Sequence, residues 1–145
     1  MKGKGPVVVG VDGSRESRNA LRVAADEART RGTKLRAVMA HPPLDAHWPG
    51  GFPLYDPCDA DGARVLLADI VREELGDELD VEVELSVRCE TAARALVEEA
   101  DGASLLVLGA RGLGGFRALL LGSVSQQVSH HAPCPLLIVR LPAAA

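Results

Sequence analysis

The residues best suited to chemistry lie in one stretch, Gly109-Ala-Arg-Gly-Leu-Gly-Gly-Phe-Arg-Ala-Leu-Leu-Leu-Gly-Ser123. Glycines let a backbone approach an anion closely, and the free N–H groups at a helix start point at it. The apolar run Leu105–Leu108 before the stretch predicts a buried strand. The run Ser123-Val-Ser-Gln-Gln-Val-Ser-His-His131 after it predicts a helix with Ser123 at its cap. Strand, glycine-rich loop and helix start together make a phosphate site. The spacing from Gly109 through Gly112 to Gly122 and Ser123 is G-x2-G-x9-G-S. No Gly-Lys-Ser/Thr closes it, so it is not a Walker loop. Nor is it the usual dinucleotide fingerprint, although Gly114 and Gly115 crowd the same loop. The plainer reading is a flexible loop without a ligand.

Such a loop needs a strand behind it and a helix after it, and the chain supplies both repeatedly. Val7–Val11 is apolar on both faces, which predicts a central parallel strand covered on each side. Ser14 caps a helix through Ala20, Leu21, Val23, Ala24, Ala25 and Ala28 that stops at Gly32. Leu35–Ala40 is a second strand. Asp61 or a neighbour opens a helix through Val65, Leu66, Ala68, Ile70 and Val71 to about Gly76. Its exposed side continues into the acidic run Glu73, Glu74, Asp77, Glu78 and Asp80. Val81–Val87 alternates strictly and predicts an edge strand with one wet face. Thr91 caps a third helix that ends at Asp101-Gly102, and Leu136–Arg140 is a last strand.

Strands alternating with helices predict an α/β fold of Rossmann-like type. It is an open, mostly parallel five-stranded sheet with helices on both faces. In strand order 3-2-1-4-5, Asp12 at the end of the first strand and Gly109 at the end of the fourth flank the crevice where such sheets bind ligands.

Between them lies a long irregular segment, His41–Asp61, with Pro42, Pro43, Pro49, Pro53 and Pro57. It holds Trp48, Phe52 and Tyr55, and the remaining aromatic, Phe116, is in the glycine loop. These rings pin the segment to the surface, or form a lid or a docking patch. The three cysteines, Cys58, Cys89 and Cys134, are odd in number and scattered. They give no disulfide framework or metal pattern, so free thiols are the default.

Composition narrows the function classes. With 47% apolar and 25% charged residues over 145 positions, the chain can bury a full core as one domain. A net charge of −4 without a basic stripe argues against nucleic acid as the main partner. No apolar run approaches the ~20 residues that span a bilayer. The start of the chain lacks a signal-type segment. A cytoplasmic protein with no membrane association is expected.

Three segments carry a resemblance to a known family. They are Val9-Gly-Val-Asp-Gly-Ser14, the Gly109–Ser123 motif, and Ala132-Pro-Cys-Pro-Leu-Leu-Ile-Val-Arg140. The chain resembles the universal stress protein family in its ATP-binding branch, over nearly all of 1–145, as a single domain. The resemblance implies that Asp12 lies against the nucleoside and that Ala40 meets adenine through its backbone. It also implies that Gly109, Gly112, Gly122, Ser123 and Val124 hold ribose and phosphates. It implies a homodimer formed through the last strand, Leu136 to Arg140, which would also cover an apolar edge.

Each assignment has physical content. Asp12 could accept hydrogen bonds from ribose or adenine, hold a metal-bound water, or cap the following helix. Ser123 and Ser125 offer hydroxyls to phosphate or serve the helix start alone. Arg111 and Arg117 could offset phosphate charge, or be solvated. His130 and His131 suit a helix C-terminus. His41 and His47 could face a ligand, but nothing pairs them with a nucleophile, and no acid/base pair, Ser–His–Asp set or metal cluster is seen.

The function expected is a nucleotide-responsive stress or signalling module that binds ATP, with or without Mg2+. Ligand-linked conformational change would alter a surface that an unknown protein partner reads. The alternatives are a weak ATPase on the same scaffold, since phosphoryl transfer needs mainly positioning and electrostatics, or a dimeric interaction module with an empty pocket.

Overall fold

The computed structural model describes residues 4–41, 59–110 and 122–141. Within them five strands alternate with four helices. These are β1 (Val7–Gly10), α1 (Arg15–Arg31), β2 (Leu35–Ala40), α2 (Ala60–Leu75), β3 (Val83–Arg88), α3 (Ala92–Glu99), β4 (Leu105–Gly109), α4 (Ser123–His131) and β5 (Leu136–Val139). Every strand pair is parallel, in the order β3-β2-β1-β4-β5. The expected sheet is thus present, and it is parallel throughout.

The central strand is buried on both faces, as its unbroken valines require: Val7, Val8 and Val9 are fully inaccessible. Val7 and Val9 join Leu35, Ala37, Met39 and Val107 in one core, packed against α1 and α2. Val8, Val38, Leu106 and Leu108 form a second core with Leu96 of α3 and Val128 of α4. This two-layer division follows from the period-2 alternation of strand side chains.

Helix α1 starts where Ser14 accepts a hydrogen bond from the Ser17 N–H at 3.2 Å. It stops at Gly32, whose φ of 66° is the left-handed conformation glycine adopts without strain. Its inner face is mostly alanine (Ala20, Ala24, Ala25, Ala28), which lets the helix lie close to the sheet.

Other boundaries moved. Helix α2 is capped by Asp59, which accepts from the Gly62 N–H at 2.9 Å. It buries Leu67, Ile70 and Val71 but leaves Val65 and Leu66 63% and 51% exposed. Thr91 stands at the α3 cap without making a side-chain cap bond. The cap of α4 is Gly122, and Ser123 is its first helical residue. The edge strand begins at Val83, two residues later than its alternation suggested, with Val81 still buried in the core.

The face of β3 expected to be wet is instead occupied by charge. Glu99 of α3 accepts from Ser86 Oγ at 2.6 Å and from Arg88 at 3.1 Å, and Arg36 lies 3.4 Å away. The acidic run is likewise partly paired. Glu73 and Glu74 meet Arg18, Glu74 also meets Arg22, and Asp80 meets Arg29.

Candidate functional site

The sheet order reverses between β1 and β4, so the crevice lies at the C-terminal ends of those strands. Asp12 follows β1 there and is exposed. Its Oδ1 accepts from the Ser14 N–H at 2.9 Å, and its own N–H donates to Ser17 Oγ at 3.2 Å. Gly13, with φ of 87°, makes the turn between them. Asp12 therefore shapes the start of α1 while its carboxylate stays at the surface, and capping and ligand contact are compatible.

Ala40 ends β2. The pairing of β1 with β2 sets Gly10 beside Val38, and the Val11 N–H continues the ladder to the Val38 carbonyl at 2.9 Å. The same offset puts Ala40 level with Asp12.

Gly109 ends β4 and packs directly on the first turn of α1. A Cβ built on it would lie 2.9 Å from both the backbone carbon and the Cβ of Glu16. Glycine is needed here for helix–strand contact, whatever binds nearby. Beyond it the chain leaves at Ala110 and returns at Gly122, whose N–H donates to the Ala110 carbonyl at 2.7 Å. Ser125 is 3% exposed and donates its hydroxyl hydrogen to the Gly109 carbonyl at 2.8 Å. Ser123 is exposed, and the Val124 side chain packs on the second core, leaving only its backbone for a ligand. Arg111 and Gly112, like Trp48, Phe52, Tyr55 and Cys58, lie outside the described residues.

The fold thus gathers Asp12, Ala40, Gly109, Gly122, Ser123 and Ser125 along one edge, where the N-termini of α1 and α4 both arrive. Helix N-termini carry partial positive charge and unsatisfied N–H donors. At α4 the cap residue is a glycine without a side-chain acceptor. Helix α3 also lacks a side-chain cap bond, so it is the place of α4, at the end of β4, that suits an anion.

Sequence reasoning missed Glu16 and Ser17, both buried in this floor at 8% and 6% exposure. The Ser14-x-x-Ser17 spacing was a signal for Ser17, which donates to the Ser14 carbonyl at 3.0 Å. Nothing local marked Glu16.

Among the described residues no cluster of three or more His, Cys, Asp or Glu is placed to hold a metal ion. Cys89 is disulfide-bonded, which corrects the expectation of three free thiols. An odd, scattered set of cysteines does not show along the chain which of them a fold pairs. Cys134 is free, and burial pushes its thiol up, away from the reactive thiolate form.

The universal stress protein family model matches residues 5–140. The chain belongs to the universal stress protein family.

Two such proteins of Mycobacterium tuberculosis are 39% and 35% identical to it over 136 residues, covering 93% of this chain and 45% of theirs. The chain spans about half the length of these curated relatives. Among solved structures, a universal stress protein in complex with cAMP is 28% identical, with a TM-score of 0.65 over 96% of this chain and 98% of that one. Another, from Archaeoglobus fulgidus in complex with dAMP, is 26% identical, with a TM-score of 0.65 over 95% and 98%. The UspA protein of Lactobacillus plantarum, at 22% identity and a TM-score of 0.77 over 94% and 97%, shares the fold. No helix of this universal stress protein is long and apolar enough to cross a membrane, among the described residues.

Proposed function

We propose that this universal stress protein, acting as one domain over 1–145, binds ATP across the C-terminal edge of its sheet. The nucleoside lies toward Asp12 and Ala40, and the phosphates lie toward Gly109, Gly122 and Ser123. The observation that carries this reading is the arrival of the α1 and α4 N-termini at the end of β4, where Gly122 starts α4 without a side-chain acceptor. Relatives solved with cAMP and dAMP support an adenine nucleotide as the ligand class. The exposed Asp12 carboxylate suits a hydrated Mg2+ accompanying the phosphates.

The role that fits is a cytoplasmic, nucleotide-responsive stress module. Binding shifts the populations of the domain's conformations and alters a surface that a partner reads. A homodimer through β5 belongs to the same reading. Leu136, Leu137, Ile138 and Val139 are half-buried on an edge strand with no neighbour beyond it among the described residues.

The test is denaturation of the purified protein, with chromatography and mass spectrometry of what is released, followed by titration of emptied protein with ATP and Mg2+. ATP at near one per chain, or saturable binding in the titration, is the expected result. No release and no binding overturns the reading.

A further inference from the structure

We propose that His41 makes the side-chain hydrogen bond to the nucleoside half of the bound nucleotide, through Nε2. This rests on the nucleotide site proposed above and assigns it a residue. Three buried side-chain polar atoms among the described residues lack a hydrogen-bond partner: His41 Nε2, Glu84 Oε1 and Glu90 Oε1. The two carboxylates are not isolated. Glu84 Oε1 is 2.9 Å from Lys34 Nζ, and Glu90 Oε1 is in ion-pair contact with Arg88. His41 Nε2 has neither kind of partner. Native structures rarely keep a buried polar atom unpaired, and such an atom marks either a water or a group that arrives with a ligand.

The position of His41 says which group that is. It is the first residue past β2, next to Ala40, and its backbone is fixed by an N–H bond to the Arg88 carbonyl at 3.0 Å. It therefore sits at the sheet edge that holds Asp12, beside β1 and on the side away from β4. The ends of β2 and β4 stand two strand spacings apart, about 10 Å. A nucleotide lying across the edge spans that gap, with phosphates at the α4 start and its nucleoside at β2. An imidazole nitrogen donates or accepts according to tautomer, so it can meet a ribose hydroxyl or the edge of a purine.

The experiment combines two measurements. Long-range proton–nitrogen NMR of the wild-type protein follows the four histidine rings during titration with adenosine, with His41 assigned from the His41→Gln spectrum. Calorimetry then compares adenosine, ATP and inorganic triphosphate on wild type, His41→Ala and His41→Gln. The expected result is a shifted Nε2 signal, about tenfold weaker adenosine and ATP binding in His41→Ala, unchanged triphosphate binding, and recovery of most affinity in His41→Gln. An Nε2 signal unmoved by bound adenosine overturns the inference, and so does equal loss of adenosine and triphosphate binding, which would mark a structural role. Wild-type protein that binds none of the three ligands overturns the nucleotide site itself. Triphosphate or adenosine binding with His41 unaffected overturns only the role of His41.

Discussion

Ser125 donates its hydroxyl hydrogen to the carbonyl of Gly109 across 2.8 Å, and Ser125 is almost wholly buried. The first turn of α4 is thereby fastened to the last residue of β4. With the Gly122–Ala110 bond just outside it, this contact sets the direction in which the α4 N–H groups point. Ser125 therefore aims the start of α4 with its hydroxyl hydrogen already given to Gly109.

Replacing Ser125 with Ala leaves the half-buried Gly109 carbonyl without this partner. The expected loss is about 1–3 kcal/mol of folding stability, read from urea denaturation, together with weaker ATP binding. Unchanged affinity in a folded Ser125→Ala protein would mean that α4 holds its direction without the bond.

Gly109 and Gly122 should respond differently to enlargement. Gly109→Val drives a branched side chain into Glu16, where even a Cβ lies 2.9 Å from backbone. A loss of about 1–3 kcal/mol or more is expected, seen as a lower urea midpoint. Gly122 is buried but has φ of −70°, which any residue adopts, so Gly122→Val adds no backbone strain and should lose ATP binding. Retained binding would remove Gly122 from the phosphate contacts.

The Lys34–Glu84 pair sets a direction for pH dependence. The Lys34 ammonium, 2.9 Å from Glu84 Oε1, holds the Glu84 carboxyl below its usual 4.5, and the same contact holds the Lys34 ammonium above its usual 10.5. A depressed carboxyl contributes stability above its unfolded value and loses it as pH falls through the folded one. A raised ammonium contributes below its unfolded value and loses its contribution as pH rises through the folded one. Thermal midpoints between pH 7 and pH 3 should therefore fall less steeply for Glu84→Gln than for wild type. Parallel curves would mean that the pair is screened out in solution.

The free side of β5 offers a clean test of assembly. The carbonyls of Pro135 and Val139 accept from Leu106 and Ala110 of the β4 segment, so by alternation Leu136 and Ile138 turn their backbone groups outward. Ile138→Pro removes an outward N–H and keeps the inward ladder. Sedimentation of this variant should show monomer where wild type shows dimer. A persisting dimer would place the interface elsewhere.

The sheet was legible because its signals are local. Val7–Val11 and Leu105–Leu108 are uninterrupted apolar runs, and Ser14 and Gly32 punctuate α1. The places of Asp12 after β1, Gly109 at the end of β4 and Gly122 before α4 were legible for a related reason, since the ends of strands and helices are marked locally. Helical spacing in α2 did not reveal that Val65 and Leu66 stay exposed, because periodicity gives a helix an apolar face without saying how much of it the sheet covers. The alternation of Val83, Leu85 and Val87 placed β3 at the edge, yet Glu84, Ser86 and Arg88 were read as solvated when α3 brings Glu98 and Glu99 to them. Glu16 escaped for the same reason, and His41, named as able to face a ligand, gave no sign that its Nε2 is buried. Burial of a single polar side chain depends on elements far away in sequence.

The chain leaves the sheet at Ala110 and comes back at Gly122, and one hydrogen bond joins the two points of departure and return. Whatever lies between begins and ends at the same place, so the strand pairings on either side do not set its length. Evolution can rewrite residues 111–121 as a cassette, changing the ligand or the response, without renegotiating a single strand pairing. The same property makes that junction the natural place for an engineer to exchange one recognition segment for another.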